Sequence, residues 1–389
     1  MDIFKYYTLS VVIYFFHVYS IDKAVLGGFR FFIYLLALSF SCIFTTPKTM
    51  SQPFDHLPTA SIRNLAAMSG LLQRIRSFFV DHGFIEVLTP ILSEDTIINR
   101  YLEPIRVSVE RTPNRYNTYY MQTSPEFCMK RLLTAGAKAI YQIAHAFRSG
   151  DFGQYHNVEF TMLEWYRVGD EYEQGIAMLE DLTNHLFQRG GVEKCSFKDA
   201  FFKFTGINPH TVGRETMRKF ADDNRIPYPE SYGSVQHKKN VPEDFLREPW
   251  VDLLFVEVVQ PNLGVDLPVI LYDFPIWQSQ LATTRSVKDF GESFEVSERF
   301  ELYADGIELA NGYHELTDAD ALLQRNKEAN RARVADGNAP LPEQSRLLKA
   351  MEAGIPPCCG TALGVERLLM TLLEAHSIDE VIPFPFDRA

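Results

Sequence analysis

The chain has 389 residues, 46% hydrophobic, 23% charged and 13% aromatic, an ordinary globular composition with room for one large domain or two smaller ones. Its 38 basic and 50 acidic residues leave a net charge of −12, which argues against extensive nucleic-acid contact unless positive charge is clustered. Five cysteines, an odd number with no C-x-x-C pair and no zinc spacing, argue against a disulfide framework and for reduced thiols in a cytoplasmic protein.

Residues 1–49 differ from the rest, with two charge-free apolar runs, 6–21 and 31–47. Each falls short of the ~20 apolar residues that span a bilayer, and no small-residue cleavage site is visible. A short membrane anchor, a hydrophobic targeting piece and an extension upstream of a start at Met50 all fit. The polar opening SQPFDHLPTAS after Met50 suits the third reading. On that reading, residues 50–389 are the catalytic domain, carry a net charge of −14, and make no membrane contact.

Apolar residues at helical spacing from Ile62 to Val80 predict a helix, ended by His82-Gly83. FIEVLTPIL then reads as a strand. Pro90 removes a ladder donor, which places it at a sheet edge or a subunit interface. A short helix is expected around 125–135, a strand over 139–148, a second strand over 158–168 and a helix over 171–189. Residues 192–295 are less readable, with a helix in PEDFLREPWVDLLFVEVV and a strand in PVILYDFP. ERFELYADGIELANGYHEL predicts a hairpin turning at Asp305-Gly306, and residues 318–338 a polar helix. GTALGVERLLMTLL brings glycines to the start of an apolar helix. Strands without regular β-α alternation predict an α+β fold with a mostly antiparallel sheet flanked by helices.

Three stretches place charge where a sheet should be apolar. In the 158–168 strand, alternation puts Phe160, Met162, Glu164 and Tyr166 on one face, and Glu164 there needs a donor or a cation. In TSPEFCMKRL, Glu126 opens a helix; in GIELANGYHEL, Glu308, Asn311 and Glu315 surround Gly312, which marks a bulge or a close backbone approach. Arg148 ends a strand, and Arg367 follows Gly360 and Gly364 at a helix start. Each feature alone has an ordinary explanation, a salt bridge or a tight packing contact. Together, carboxylates in excess imply a cationic guest and arginines beside glycines a polyanionic one. An amine together with ATP satisfies both.

The chain from about residue 60 to 389 resembles the catalytic core of class II aminoacyl-tRNA synthetases, the lysine branch in particular. FIEVLTPIL is similar to their first motif, FRSGDFGQYHNVEFTMLEWY to the second and GTALGVERL to the third, while TSPE, HNVEFTMLEWY and IELANGYHEL are specific to the lysine branch. The resemblance is closer still to the elongation factor P–lysine lysyltransferases, short paralogues that lack the anticodon-binding barrel. It implies ATP-dependent activation of (R)-β-lysine, with Mg²⁺, and its transfer to a lysine of elongation factor P by a homodimer. A lysyl-tRNA synthetase-like enzyme that charges tRNA, and a non-catalytic paralogue acting as a sensor, are the rival readings. The net charge weighs against the first and the presence of Arg148, Glu308 and Arg367 against the second.

The resemblance also implies roles. Arg148 would contact the α-phosphate and the substrate carboxylate, and Arg367 the terminal phosphates. Phe160 would stack on adenine, with Ser149, Gly150, Asp151 and Asn157 around the nucleotide. Glu308 and Leu309 would frame the ATP site, Glu308 would help hold Mg²⁺, and Gly364 would let the nucleotide approach. Ser124, Pro125 and Glu126 would wall the amino acid, with Glu126 on the backbone-type amine. Glu164, Tyr166, Asn311 and Glu315 would receive the distal ammonium. Three departures stand out: Asp151 lies one position beyond the family's R-x-E acid, Val158 stands where a proline is usual, and Ala362 stands where lysyl-tRNA synthetases tend to have glycine.

Overall fold

The computed structural model describes residues 56–187, 189–229, 232, 243–289 and 292–389; the expectations for 1–49 fall outside them. Residues 58–389 form one compact unit. In chain order its elements begin with α1 (Ile62–Asp81), β1 (Ile85–Glu86), β2 (Leu92–Ser93), β3 (Arg106–Thr112), β4 (Arg115–Met121) and α2 (Glu126–Thr134). There follow β5 (Ala139–Phe147), β6 (Glu159–Val168), α3 (Tyr172–Leu186), β7 (Glu193–Ser196), α4 (Phe197–Thr205), α5 (Arg214–Asp223) and α6 (Glu243–Leu254). The last are β8 (Val269–Pro275), β9 (Thr284–Asp289), β10 (Glu292–Ala304), β11 (Ile307–His314), α7 (Ala319–Ala335), α8 (Arg346–Glu352), β12 (Cys358–Gly364) and α9 (Val365–Leu373).

A nine-stranded sheet runs β1-β5-β6-β12-β11-β10-β8-β7, with β9 paired to β10. Only the outer pairs β1–β5 and β7–β8 are parallel, so the α+β, mostly antiparallel expectation holds. β2, β4 and β3 form a separate small sheet, and neither sheet closes into a barrel. The expected strand over 84–92 is not continuous. It breaks into β1 and β2, which belong to different sheets, with Pro90 between them. Proline offers no N–H to a ladder, and β1 lies at the edge of the large sheet.

The β10–β11 hairpin turns at Asp305 and Gly306, both at positive φ (53° and 75°), the two-residue geometry that follows strand twist. Gly312 is the predicted close approach: an added Cβ would lie 2.3 Å from the Phe300 ring. Across the sheet's covered face, Leu71, Ile75 and Phe79 of α1, Leu179 and Leu182 of α3, and Leu368 and Leu369 of α9 pack with Leu163 and Trp165 of β6. A second core gathers Phe197, Phe201, Met217, Trp250 and Phe274 around α4, α5, α6 and β8, the stretch least legible in the sequence. Among the described residues, no helix is long and apolar enough to cross a membrane.

Candidate active site

Alternation along β6 sends Leu163 and Trp165 into the helix-covered core and turns Phe160, Met162, Glu164 and Tyr166 toward a cavity of 370 Å³. The cavity draws its walls from β6, β11, β12, the 148–157 loop and the N-terminal ends of α2 and α9. Ser124, Glu126, Arg148, Asp151, Asn157, Phe160, Glu164, Tyr166, Glu308, Leu309, Asn311, Glu315, Gly364 and Arg367 all line it. Pro125, Ser149 and Gly150 do not. Pro125 precedes α2, and Ser149 is occupied by its backbone, whose N–H donates to the Glu103 carbonyl.

One end of the cavity is acidic. Glu164 is 1% exposed and accepts from the Ser124 hydroxyl at 2.6 Å and from the Tyr166 hydroxyl at 2.5 Å. Ser124 Oγ also accepts from the Glu126 N–H, which ties the start of α2 to β6. Burial, joined by the negative charge of Glu126, pushes Glu164 up to about 7 against those hydroxyls and the charge of Lys130. Glu126 and Glu315 are bridged by the buried Lys130, whose Nζ lies 2.5 Å from Glu126 and 2.6 Å from Glu315. Burial opposes the Lys130 charge, but the two carboxylates outweigh it and hold the ammonium above the usual lysine range. Burial raises Glu315, with Lys130 opposing.

Gly360 makes this end possible. It pairs with Tyr166 across β12–β6, and a Cβ there would lie 2.2 Å from the Tyr166 ring and 2.3 Å from the Glu315 carboxylate. Only glycine leaves both side chains where they are.

The other end is cationic. The Arg148 guanidinium lies 5.0 Å from the centre of the Phe160 ring, and its buried Nε has no hydrogen-bond partner among the described residues. Burial pulls Arg148 below the ordinary arginine range, Asp151 opposes this and the charge of Arg367 adds to it. Arg367 donates to the carbonyls of Tyr155 (3.2 Å) and Glu308 (3.1 Å) and to Nε2 of His156 at 2.6 Å. An arginine can only donate, so the His156 ring carries its proton on Nδ1. Burial and then Arg367 lower its pKa, which keeps the ring neutral. Glu366 accepts the Thr161 N–H through both carboxylate oxygens, at 3.0 and 2.9 Å, and pins α9 to β6. The loop that carries Asp151 turns it into the cavity wall in spite of its shifted position.

Sequence reading missed Lys130, His156, Arg299 and Glu301. The i,i+4 spacing of Glu126 and Lys130 on α2 was an available signal. Glu301 accepts from Arg299, from Tyr303 at 2.5 Å and from Asn311 at 3.0 Å, and burial together with the neighbouring Glu308 raises its pKa against the Arg299 charge. Across the β10–β11 pair, Glu301 stands opposite Asn311, a relation that needed the hairpin register. Asn311 Oδ1 is buried without a partner among the described residues. Glu301 is taken up by Arg299, Tyr303 and Asn311 and does not line the cavity, which leaves Glu308 as the carboxylate oxygen donor of the hard type that suits Mg²⁺.

The sheet, the acid end and the arginine end together match a known class. The family of class II tRNA synthetases for aspartate, lysine and asparagine (D, K and N) matches residues 55–388, and the chain belongs to it. Within that class it is 38% identical over 341 residues to the elongation factor P–(R)-beta-lysine ligase of Pectobacterium atrosepticum, covering 87% of this chain and 100% of that one. The proteins of the same name from Proteus mirabilis and Yersinia enterocolitica are each 38% identical, with the same coverage.

Proposed function

We propose that the protein activates (R)-β-lysine with ATP and transfers it to the ε-amine of a lysine on elongation factor P. One observation carries the reading: a single cavity joins three buried carboxylates at one end to Arg148 and Arg367 at the other. The full-length match to ligases of that name supplies the substrates. The substrate carboxylate attacks the α-phosphorus of ATP in line, and pyrophosphate leaves. The acceptor's neutral amine then attacks the acyl carbon, and AMP leaves.

The chain supplies placement and charge rather than a nucleophile. Arg148, with its unpaired Nε, grips the α-phosphate and the substrate carboxylate. Arg367, fixed by three bonds, faces the terminal phosphates. Phe160, Asn157, Asp151, Leu309 and Gly364 enclose the nucleotide. Glu126 takes the amine nearer the carboxylate, and Glu164 with Tyr166, Asn311 and Glu315 the distal ammonium. Glu308 would help hold Mg²⁺, which neutralises phosphate charge when bound.

The enzyme works in the cytoplasm as a homodimer without extensive tRNA contact, and its catalytic domain is residues 50–389. The exposed Ile85 and Leu88, 63% and 87% accessible beside Pro90, suit the dimer contact. The test is the intact mass of purified elongation factor P after incubation with the protein, Mg·ATP and (R)-β-lysine. A gain of one lysyl unit supports the proposal; charging of tRNA without that gain overturns it.

A further inference from the structure

The acidic end of the cavity holds more cation than its substrate brings. Lys130 reaches up from the second turn of α2 and ends between Glu126 and Glu315, 3% exposed and 5.8 Å from the centre of the Tyr166 ring. Two carboxylates and an aromatic face around one ammonium are what a pocket for an amine guest looks like. Here the chain fills the slot itself. Glu164, by contrast, touches only hydroxyls. Once an arriving amine has ionised all three, three carboxylates less one ammonium leave two negative charges at this end.

We propose that Lys130 is a specificity-determining positioning residue: its ammonium fills the slot between Glu126 and Glu315, keeps substrate amines out of it, and sets the pocket to take an amino acid with two ammonium groups. The inference rests on the ligase reading and deepens it. With the slot filled, the distal ammonium of a diamino acid settles on Glu164, the carboxylate without a cation, and meets Glu315 only on the side turned to the cavity. The nearer amine is left the face of Glu126 that Lys130 does not hold. With the slot open, either amine can fall between Glu126 and Glu315, and the carboxylate is drawn away from Arg148. Lys130 acts through this displacement and touches no reacting atom.

Lys130→Ala removes a propylammonium's worth of side chain. Misplaced binding lowers kcat without raising KM, so kcat of (R)-β-lysine-dependent pyrophosphate exchange is expected to fall about 100-fold while KM stays level or drops. Added n-propylammonium should restore kcat at least about tenfold and raise the melting temperature of the variant, leaving the unaltered protein unmoved. n-Propanol, of similar size and uncharged, should do neither. A rise in KM at unchanged kcat, rescue by propanol equal to that by propylammonium, or no rescue by either, overturns the assignment. Should Lys130→Ala not fold, Lys130→Arg keeps a cation in the slot, and a folded Lys130→Arg protein that no longer prefers (R)-β-lysine over 3-aminohexanoate overturns it equally. Loss of exchange in the unaltered protein would strike the ligase reading alone, because the propylammonium melting shift is read without any reaction.

Discussion

Ala362 of β12 lies directly across from Glu164 of β6, and in an antiparallel pair such partners point to the same face. The Ala362 methyl therefore stands beside the carboxylate assigned to the distal ammonium, on the cavity wall. A methyl there narrows the pocket beside the substrate chain, and α- and β-lysine, whose distal amines sit on the same carbon, differ in where the nearer amine places that chain. Ala362→Gly should raise kcat/KM for α-lysine relative to (R)-β-lysine by about tenfold, the scale of one methyl in a packed pocket. Pyrophosphate exchange with the two amino acids measures the ratio; an unchanged ratio removes Ala362 from the discrimination.

Glu164 makes the pH dependence explicit. Its folded-state pKa of about 7 lies above the ordinary carboxylate range, so folding favours the protonated form. The stability it contributes is complete below the ordinary carboxylate range and is lost as pH rises through 7. Glu164→Gln fixes the neutral state. At pH 8 the variant should be more stable than the parent by on the order of 2 kcal/mol, with the gap closing near pH 4. Its amine-dependent exchange should meanwhile collapse. Thermal unfolding at the two pH values decides, and a variant less stable than the parent at pH 8 would contradict the burial argument.

Substrate binding should carry the opposite sign. An arriving ammonium favours ionised Glu164 and expels its proton, so affinity for (R)-β-lysine rises with pH up to about 7 and then levels. Calorimetry in two buffers of different ionisation enthalpy counts the released proton at pH 6.

Gly360→Ala tests how tightly the acid end is built. The new Cβ would meet the Tyr166 ring at 2.2 Å and Glu315 at 2.3 Å, neither of them a free-swinging side chain. The expected result is a loss of about 1–3 kcal/mol of stability and of amino-acid activation. A variant with parental kcat/KM would show that Tyr166 and Glu315 move freely.

Metal removal separates folding from chemistry. One carboxylate on the cavity wall, Glu308, matches the way Mg²⁺ is held, through few protein oxygens and jointly with substrate phosphates. Chelation should therefore abolish exchange and leave the unfolding midpoint of the ligand-free protein in place. Glu308→Gln should raise the Mg²⁺ concentration that restores half the activity.

Much of this was legible in the chain. Period-two alternation alone turned Glu164 to a different side from Trp165, and the structure keeps that separation. Asp305-Gly306 announced its hairpin because both positions adopt positive φ. The β1–β2 segment reads as one strand because FIEVLTPIL is rich in apolar and β-branched residues, while proline and sheet membership interrupt it. Lys130 was passed over for another reason. On a helix a lysine looks like solvent-facing charge, and only the tertiary arrival of Glu315, 185 positions along the numbering, turns it into a buried ion.

β6 offers a consequence of its own. Its odd-numbered residues answer to the helices behind the sheet and its even-numbered residues to the cavity in front. A saturation scan from Phe160 to Tyr166 should thus yield two interleaved records. Substitutions at Leu163 and Trp165 would deplete the amount of protein, while those at Met162 and Glu164 would leave the amount intact and silence it.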